Sequence, residues 1–483
     1  MGFSLLTDFY ELTMMQGYFF SCPDQEGVFE MFFRRQPFDG GYTIFAGLGP
    51  LLEALLDLRF TGDDISYLES LKIFRKEFID YLGNFLFRGD IYSVAEGTAV
   101  FPNEPLLRVH GNLMEAQLIE SMVLNFINFQ SLIATKSARI CSVAAGRPVL
   151  EFGLRRAQGT SGALWAARAA FIGGASATSN TLAGKIYGIP VSGTMAHSWV
   201  MSYDTELEAF RTYADLYPDR CVLLVDTFDT LKSGIPNAIT VFRKLMERNH
   251  SLMAVRIDSG DLEYLSKKAR NILDENGLRD VKIFVSSDLD EWIMRQLIES
   301  GSPIDSWGVG TRLVTGWNDP ALTGVYKIVA SNDGSGYEPR IKISNQAEKI
   351  TNPGVKNTMR FYNEKGQALA DLIYLEDEAE DLARMIAQKE PIRFNHPATD
   401  YAKFTLKEYS TAAPQLAPVM LKGKIAGDAP SLQIIKERRQ REVDSLDDTF
   451  KRLLNPHVYK ISLSSRLKDL KTEMIRSIKA KYD

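Results

Sequence analysis

The segment V-R-I-D-S-G-D-L at residues 255–262 places Arg256 and Asp258 two positions apart in a run that reads as a strand. Alternation along a strand sends both side chains to one face, so a guanidinium and a carboxylate project together. A structural ion pair is the plain alternative. E-F-G-L-R-R-A at 151–157 adds Phe152, Arg155 and Arg156, a set suited to stacking a flat ring and holding an anion. A core phenylalanine with solvated arginines has the same pattern. S-S-D-L-D-E at 286–291 offers the hydroxyls of Ser286 and Ser287 and the carboxylate of Asp288, groups that bind phosphate or magnesium. It also reads as a helix N-cap with acidic residues in the first turn.

G-V-G-T-R-L at 308–313 resembles the start of a dinucleotide fingerprint, but Leu313 stands where the third glycine is needed. Gly308, Gly310 and Thr311 then fit either a phosphate cradle, where small residues let backbone N–H groups approach an anion, or an ordinary glycine turn. S-G-T-M-A-H-S-W-V at 192–200 contains His197, one of five histidines in the chain. After the apolar I-P-V run it suits a core role as well as a catalytic one.

These residues gain meaning from the elements that carry them. P-V-L-E-F at 148, C-V-L-L-V-D at 221, L-M-A-V-R-I-D at 252, V-K-I-F-V-S-S-D at 281 and S-W-G-V-G-T at 306 are short apolar runs, each followed by a helical pattern. Leu223, Met253 and Ile283 recur at about 30 residues, the length of one strand–helix unit. Such repetition implies a parallel sheet, either an open doubly wound sheet or a barrel. Ligands bind beyond the carboxyl ends of such strands, which is where Phe152, Arg155, Asp226, Arg256, Asp258, Ser286 to Asp288 and Gly308 to Thr311 fall. His197 joins them if I-P-V is a further strand.

Before this region, T-D-F-Y-E-L-T-M-M-Q reads as an amphipathic helix with Thr7 or Asp8 as its cap, and residues 115–139 read as one long, largely buried helix. After it, N-D-G-S-G at 332–336 separates two strand-like runs, a hairpin signal. The tail from Ser431, with K-E-R-R-Q-R-E, is expected to form solvated helix or a docking surface.

The composition narrows the function classes. With 483 residues the chain is long enough for two or three domains. A hydrophobic fraction of 45% and a net charge of -5 give a globular protein without a broad cationic field, so nonspecific nucleic-acid binding is not expected. Cys22, Cys141 and Cys221 form no metal-ligand or disulfide pattern, which suits a reducing cytoplasm. No run of about 18 apolar residues and no leader pattern is evident, so neither membrane insertion nor secretion is expected.

In this order, L-T-D-F-Y-E-L-T-M, E-F-G-L-R-R-A, S-G-T-M-A-H-S, V-R-I-D-S-G-D and W-G-V-G-T resemble the nicotinate phosphoribosyltransferase family from about residue 5 to about residue 325. The resemblance implies an irregular α/β barrel of the type II phosphoribosyltransferase kind, with an N-terminal α/β domain and a C-terminal extension. Expected boundaries are 1–135, 136–325 and 326–483, with part of 326–430 joined in space to the first. It implies nicotinate and phosphoribosyl pyrophosphate as substrates, magnesium, coupled ATP hydrolysis, and a homodimer with shared active sites.

By the same resemblance, Phe152 and a neighbouring subunit's Tyr10 sandwich the pyridine ring, while Arg155 and Arg256 contact substrate anions. Asp258 and Asp226 bind ribose or metal pyrophosphate and are candidate metal ligands, though the ligand set itself stays open. Ser286, Ser287, Asp288, Gly308, Gly310 and Thr311 are the expected phosphate contacts, and His197 is the histidine that ATP phosphorylates. Nicotinamide-using relatives have Asp where this chain has Asn180, so Asn180 is expected to favour the acid by donating to its carboxylate. The competing readings are a nicotinamide- or quinolinate-using phosphoribosyltransferase, a barrel isomerase or lyase acting on a sugar phosphate, and a noncatalytic nucleotide-binding regulator.

Overall fold

The computed structural model describes residues 2–346, 349–397, 399 and 401–482. The chain divides into two compact units, one formed by Ile133–Pro320 and the other by Met1–Leu132 together with Ala321–Asp483.

The unit of residues 133–320 is built on six parallel strands, β1 (Val149–Glu151), β2 (Ala177–Thr178), β3 (Val222–Leu224), β4 (Ala254–Ile257), β5 (Lys282–Ser287) and β6 (Ser306–Val309). Their spatial order is β2-β1-β6-β5-β4-β3, and Val191 adds a parallel bridge to Thr178 outside β2. Chain neighbours are therefore spatial neighbours, and the first strand pairs with the last, in the cyclic order of a barrel. One seam is left without strand pairing, between the Val191 segment and β3. Side-chain hydrogen bonds bring together the residues beyond it, His197 with Thr227 and Arg256 with Thr194. The fold is thus the irregular α/β barrel expected from the sequence.

Its strands are apolar because both faces are covered. Leu223, Val255, Ile257, Ile283, Val285 and Val309 are fully buried. The helix Ile235–Glu247 buries Ile235, Ala238, Ile239, Phe242 and Leu245, one turn apart along a single stripe. The helix Glu291–Glu299 begins with Asp290 as N-cap, accepting from the backbone N–H of Trp292 and Ile293. Glu291 in its first turn is buried against Lys136 at 2.7 Å and Arg139 at 3.0 Å.

The other unit contains a seven-stranded sheet and a six-stranded sheet. In the first, strand Glu26–Phe33 lies between Leu107–Asn112 and Gly324–Asn332, antiparallel to both. The expected hairpin is present, Gly324–Asn332 pairing with Tyr337–Pro339. The first helix spans Phe9–Ser21 with Asp8 in the cap position, but the Asp8 carboxylate accepts from Ser121 instead of capping.

The long apolar helix is broken at Ile119 into Leu113–Leu118 and Glu120–Val143. The stretch Leu113–Val143 is long and apolar enough to cross a membrane, yet 67% of its most apolar window is buried inside the structure. Buried Gln130, Ser131, Thr135, Lys136 and Arg139 on it are features of a core helix.

The tail forms the solvated helices expected of it, each burying one narrow stripe. Helices Leu432–Ser445 and Ser465–Lys479 form, but Ile435, Arg439, Val443, Leu467 and Lys471 are buried. Ile461–Leu463 is a strand inside the six-stranded sheet, parallel to Ala368–Leu375. Long cationic side chains such as Arg439 and Lys471 pack their stems on the buried stripe while keeping polar partners.

Candidate active site

Because the six strands are parallel, their carboxyl ends lie on one side, and the residues following each strand meet there. Arg256, near the end of β4, is the hub. Its Nε donates to Ser286 Oγ at 2.8 Å, its Nη1 to Thr194 Oγ1 at 2.8 Å, and its Nη2 to Asp258 Oδ1 at 3.0 Å. Ser286 also donates to Asp258 Oδ1. The guanidinium is 12% exposed, which strengthens each of these charge-assisted contacts.

Asp226, two residues beyond β3, accepts at Oδ2 from the backbone N–H of Asp258 at 2.9 Å and from Ser259 Oγ at 2.5 Å. Its Oδ1 is buried without a hydrogen-bond partner among the described residues. A buried carboxylate oxygen left open is costly unless a donor or cation completes it. His197 opens the short helix His197–Met201. Its Nδ1 lies 3.1 Å from Thr227 Oγ1, and its Nε2 is 3.8 Å from Asp258 Oδ2.

Phe152 follows β1, with its backbone N–H bonded to Val309 at 2.8 Å. Its ring meets Phe284 edge-on at 5.7 Å, and Arg256 lies 5.6 Å from its centroid. A Cβ built on Gly308 would come within 2.9 Å of the Phe152 ring and 3.0 Å of Phe284. Gly308 is therefore required by the aromatic ring crossing it, which neither the cradle nor the turn reading anticipated. Gly310 precedes the one-turn helix Thr311–Val314.

The structure therefore brings Arg256, Asp258, Asp226, Ser286, His197, Phe152 and Gly308 into one connected set. Arg155 is exposed on the turn Leu154–Arg156, and Ser287, the last residue of β5, and Asp288 after it are exposed. Ser287 has φ of 142°, a strained backbone of the kind found at ligand sites. Tyr10 belongs to the other unit, where its ring is 47% exposed.

Asn180 needs correction as a direct donor to a substrate carboxylate. It is 3% exposed, its Oδ1 accepts from the backbone N–H of Ala183 as N-cap of the helix Thr181–Tyr187, and its Nδ2 faces the Ala163 carbonyl at 3.4 Å. Its amide is committed to local structure. The acidic stretch 286–291 holds both of its readings: Ser286 faces the site while Asp290 caps a helix.

Sequence reasoning missed Thr194, Thr227, Ser259 and Glu151. Glu151 is 1% exposed and accepts from Thr178 Oγ1 at 2.5 Å and from the backbone N–H of Gly153. Burial raises its pKa against these two bonds. It fixes the turn that aims Phe152. The one available signal was an acidic residue at the end of an apolar strand.

A parallel α/β barrel with a guanidinium, two carboxylates, hydroxyls and an imidazole gathered beside an aromatic ring defines an enzyme class that handles a phosphorylated or otherwise anionic substrate with a flat ring. Comparison with known proteins is more specific. Residues 5–128 match the N-terminal domain of nicotinate phosphoribosyltransferase (NAPRTase), residues 148–381 the NAPRTase family, and residues 355–471 the C-terminal domain.

The chain is 43% identical to a nicotinate phosphoribosyltransferase of Bacillus subtilis, over 99% of this chain and 96% of that protein. It is 40% identical to one from Mycobacterium tuberculosis, over 96% and 92% respectively. The crystal structure of human nicotinic acid phosphoribosyltransferase superimposes with a TM-score of 0.85 at 29% identity, covering 97% of this chain and 100% of that one. The chain belongs to the nicotinate phosphoribosyltransferase family.

Proposed function

We propose that this chain transfers the phosphoribosyl group of phosphoribosyl pyrophosphate to the ring nitrogen of nicotinate, releasing pyrophosphate and forming nicotinate mononucleotide, the first step of NAD synthesis from nicotinate. The observation that carries the reading is the connected set Arg256–Asp258–Ser286–Asp226 at the strand ends, in a chain that matches its relatives over nearly its whole length. Family membership argues against the sugar-phosphate isomerase and the noncatalytic regulator.

Displacement at the anomeric carbon builds positive charge on the sugar and negative charge on the departing pyrophosphate. Arg256 has a planar fork already fixed by Ser286, Thr194 and Asp258, so it is pre-organised to face phosphate oxygens. The ring of Phe152 supplies one face for stacking the pyridine, and the exposed Tyr10 of a neighbouring subunit supplies the other. Stacking holds the nucleophilic nitrogen in line, so positioning suffices and no base is needed. Arg155 and the exposed Ser287 are further anion contacts.

Asp226 Oδ1 is a buried oxygen without a partner among the described residues, and Asp258 Oδ2 faces His197. These two oxygens fit a magnesium ion, which takes one or two carboxylates together with phosphate oxygens. Bound there, magnesium supplies neutralisation of the leaving group. His197 is the proposed phosphoryl acceptor from ATP. If Nδ1–H donates to Thr227, the lone pair of Nε2 is directed to the γ-phosphorus, ADP leaves, and water later releases phosphate from the phosphohistidine. The free energy of that cycle tightens phosphoribosyl pyrophosphate binding. The setting is the reducing cytoplasm, consistent with Cys22, Cys141 and Cys221 forming no disulfide among the described residues.

The test is nicotinate-dependent pyrophosphate release with and without ATP, run in competition with nicotinamide and quinolinate. Nicotinate is expected to be preferred and ATP to stimulate. His197→Ala should abolish the stimulation and retain basal turnover. Preference for nicotinamide or quinolinate would sink the substrate assignment, and unchanged ATP stimulation in the variant would sink the phosphohistidine.

A further inference from the structure

The unit of residues 1–132 and 321–483 holds a partly open pocket of about 680 Å³, and none of its lining residues belongs to the strand-end set. That volume lies in the range of small-molecule sites. Among the described residues its lining side chains include five cations, Arg34, Lys356, Lys403, Lys460 and Lys471, against one carboxylate, Glu30. Aromatic rings complete the wall, among them Phe404, over which the Lys460 ammonium sits at 4.9 Å.

Two of the cations are almost wholly enclosed, Lys356 at 1% and Lys471 at 7% exposure. Lys356 is balanced by Glu30 at 3.1 Å and donates to the Asn352 carbonyl at 2.8 Å. Lys471 has no carboxylate partner among the described residues. Its ammonium donates to Asn352 Oδ1 at 2.8 Å and faces the Pro397 carbonyl at 3.4 Å. Asn352 thus holds two ammonium groups together. Burial, then the neighbouring charges of Lys468 and Lys356, lower the Lys471 pKa to about 8. Independently, the Nε of Arg34 is buried without an acceptor among the described residues.

A cation more than nine-tenths buried with no counter-charge among the described residues, beside a second buried cation and a buried guanidinium N–H, is expensive. An anion in the cavity offsets that cost, and the aromatic wall accommodates a ring carried by the same molecule. We propose that this cavity binds a small organic phosphate of mononucleotide size, its phosphate against Lys471, Lys356 and Arg34 and its base against the aromatic wall.

The experiment is equilibrium dialysis of the full chain with adenosine 5′-monophosphate, with inorganic phosphate and ribose 5-phosphate as parallel probes. An Arg256→Ala background weakens binding at the strand-end site. The nucleotide should bind this background about one per chain, more tightly than either smaller probe, and Lys471→Met added to it should weaken binding by about tenfold or more. Lys471→Met alone should leave nicotinate turnover unchanged, so failure here is separable from failure of the proposed activity.

Thermal melting supplies the second readout. Without ligand, Lys471→Met should melt no lower than its parent, because an uncompensated buried charge is removed. The nucleotide should raise the melting temperature of the Arg256→Ala chain and not of the double variant. Equal binding by both chains, no binding by the Arg256→Ala chain, or a lower melting temperature of unliganded Lys471→Met would overturn the proposal.

Discussion

Arg256 reaches Ser286, Thr194 and Asp258 through three different nitrogens, so it is replaceable neither by charge nor by size alone. Lysine would keep the charge and lose the fork. Arg256→Lys is expected to lower kcat/KM for phosphoribosyl pyrophosphate by roughly 10- to 100-fold, the range for losing a hydrogen bond to a charged group. Steady-state kinetics beside a melting curve check it, and a fall in melting temperature with unchanged kcat/KM would make Arg256 a structural residue only. Arg256 and Asp258 were legible from alternation along an apolar run. Thr194, Thr227 and Ser259 were not, because hydroxyls recur throughout the sequence and acquire a role only when strands distant in the chain bring an arginine, a histidine or a carboxylate to them. Asn180 shows the opposite error: its type suggested a substrate contact, while its backbone position made it a helix cap.

At the level of elements, the interval of about 30 residues between strand-like runs was enough to read parallel strand–helix units, and all five of those runs are strands. What spacing could not supply was the two-residue strand Ala177–Thr178, too short to carry a pattern, while the I-P-V run forms only a single parallel bridge at Val191. The crossing of β6 by the Phe152 ring was equally hidden, since it depends on β1 and β6 being paired although they are far apart in sequence. It leads to a prediction. In Gly308→Ala the new methyl would lie 2.9 Å from Phe152 and 3.0 Å from Phe284, so the rings must shift. The expected stability loss is about 1–3 kcal/mol, with KM for nicotinate raised on the order of tenfold and KM for phosphoribosyl pyrophosphate changed less. Chemical denaturation with separate KM measurements decides; equal rises in both KM values would show that Phe152 is not a pyridine-specific surface.

For the whole molecule, the C-terminal segment 321–483 completes the unit begun by residues 1–132, supplying strand Gly324–Asn332 to the first sheet and Ile461–Leu463 to the second. The hairpin turn at 332–336 was legible in the sequence. The expectation was that part of 326–430 joins the first domain, and no local pattern carried it, because long-range antiparallel pairing leaves no local signature. Tyr10 lies in this same unit, exposed at 47% next to Phe9 at 54%. An exposed aromatic pair at the start of a helix suits a surface completed by a second copy, which is the proposed arrangement of a homodimer with shared sites. If Tyr10 serves the partner's barrel, Tyr10→Ala and Asp258→Asn are each inactivating but on different sides of one site. Co-refolded or co-expressed at equal amounts, half of the dimers are mixed, and each mixed dimer rebuilds one intact site from the sound Asp258 of one chain and the sound Tyr10 of the other. Activity should recover to about a quarter of wild type. Recovery confined to the sum of the two variants would mean that Tyr10 does not act across subunits, and a single-chain molecular mass in sedimentation would remove the shared site altogether.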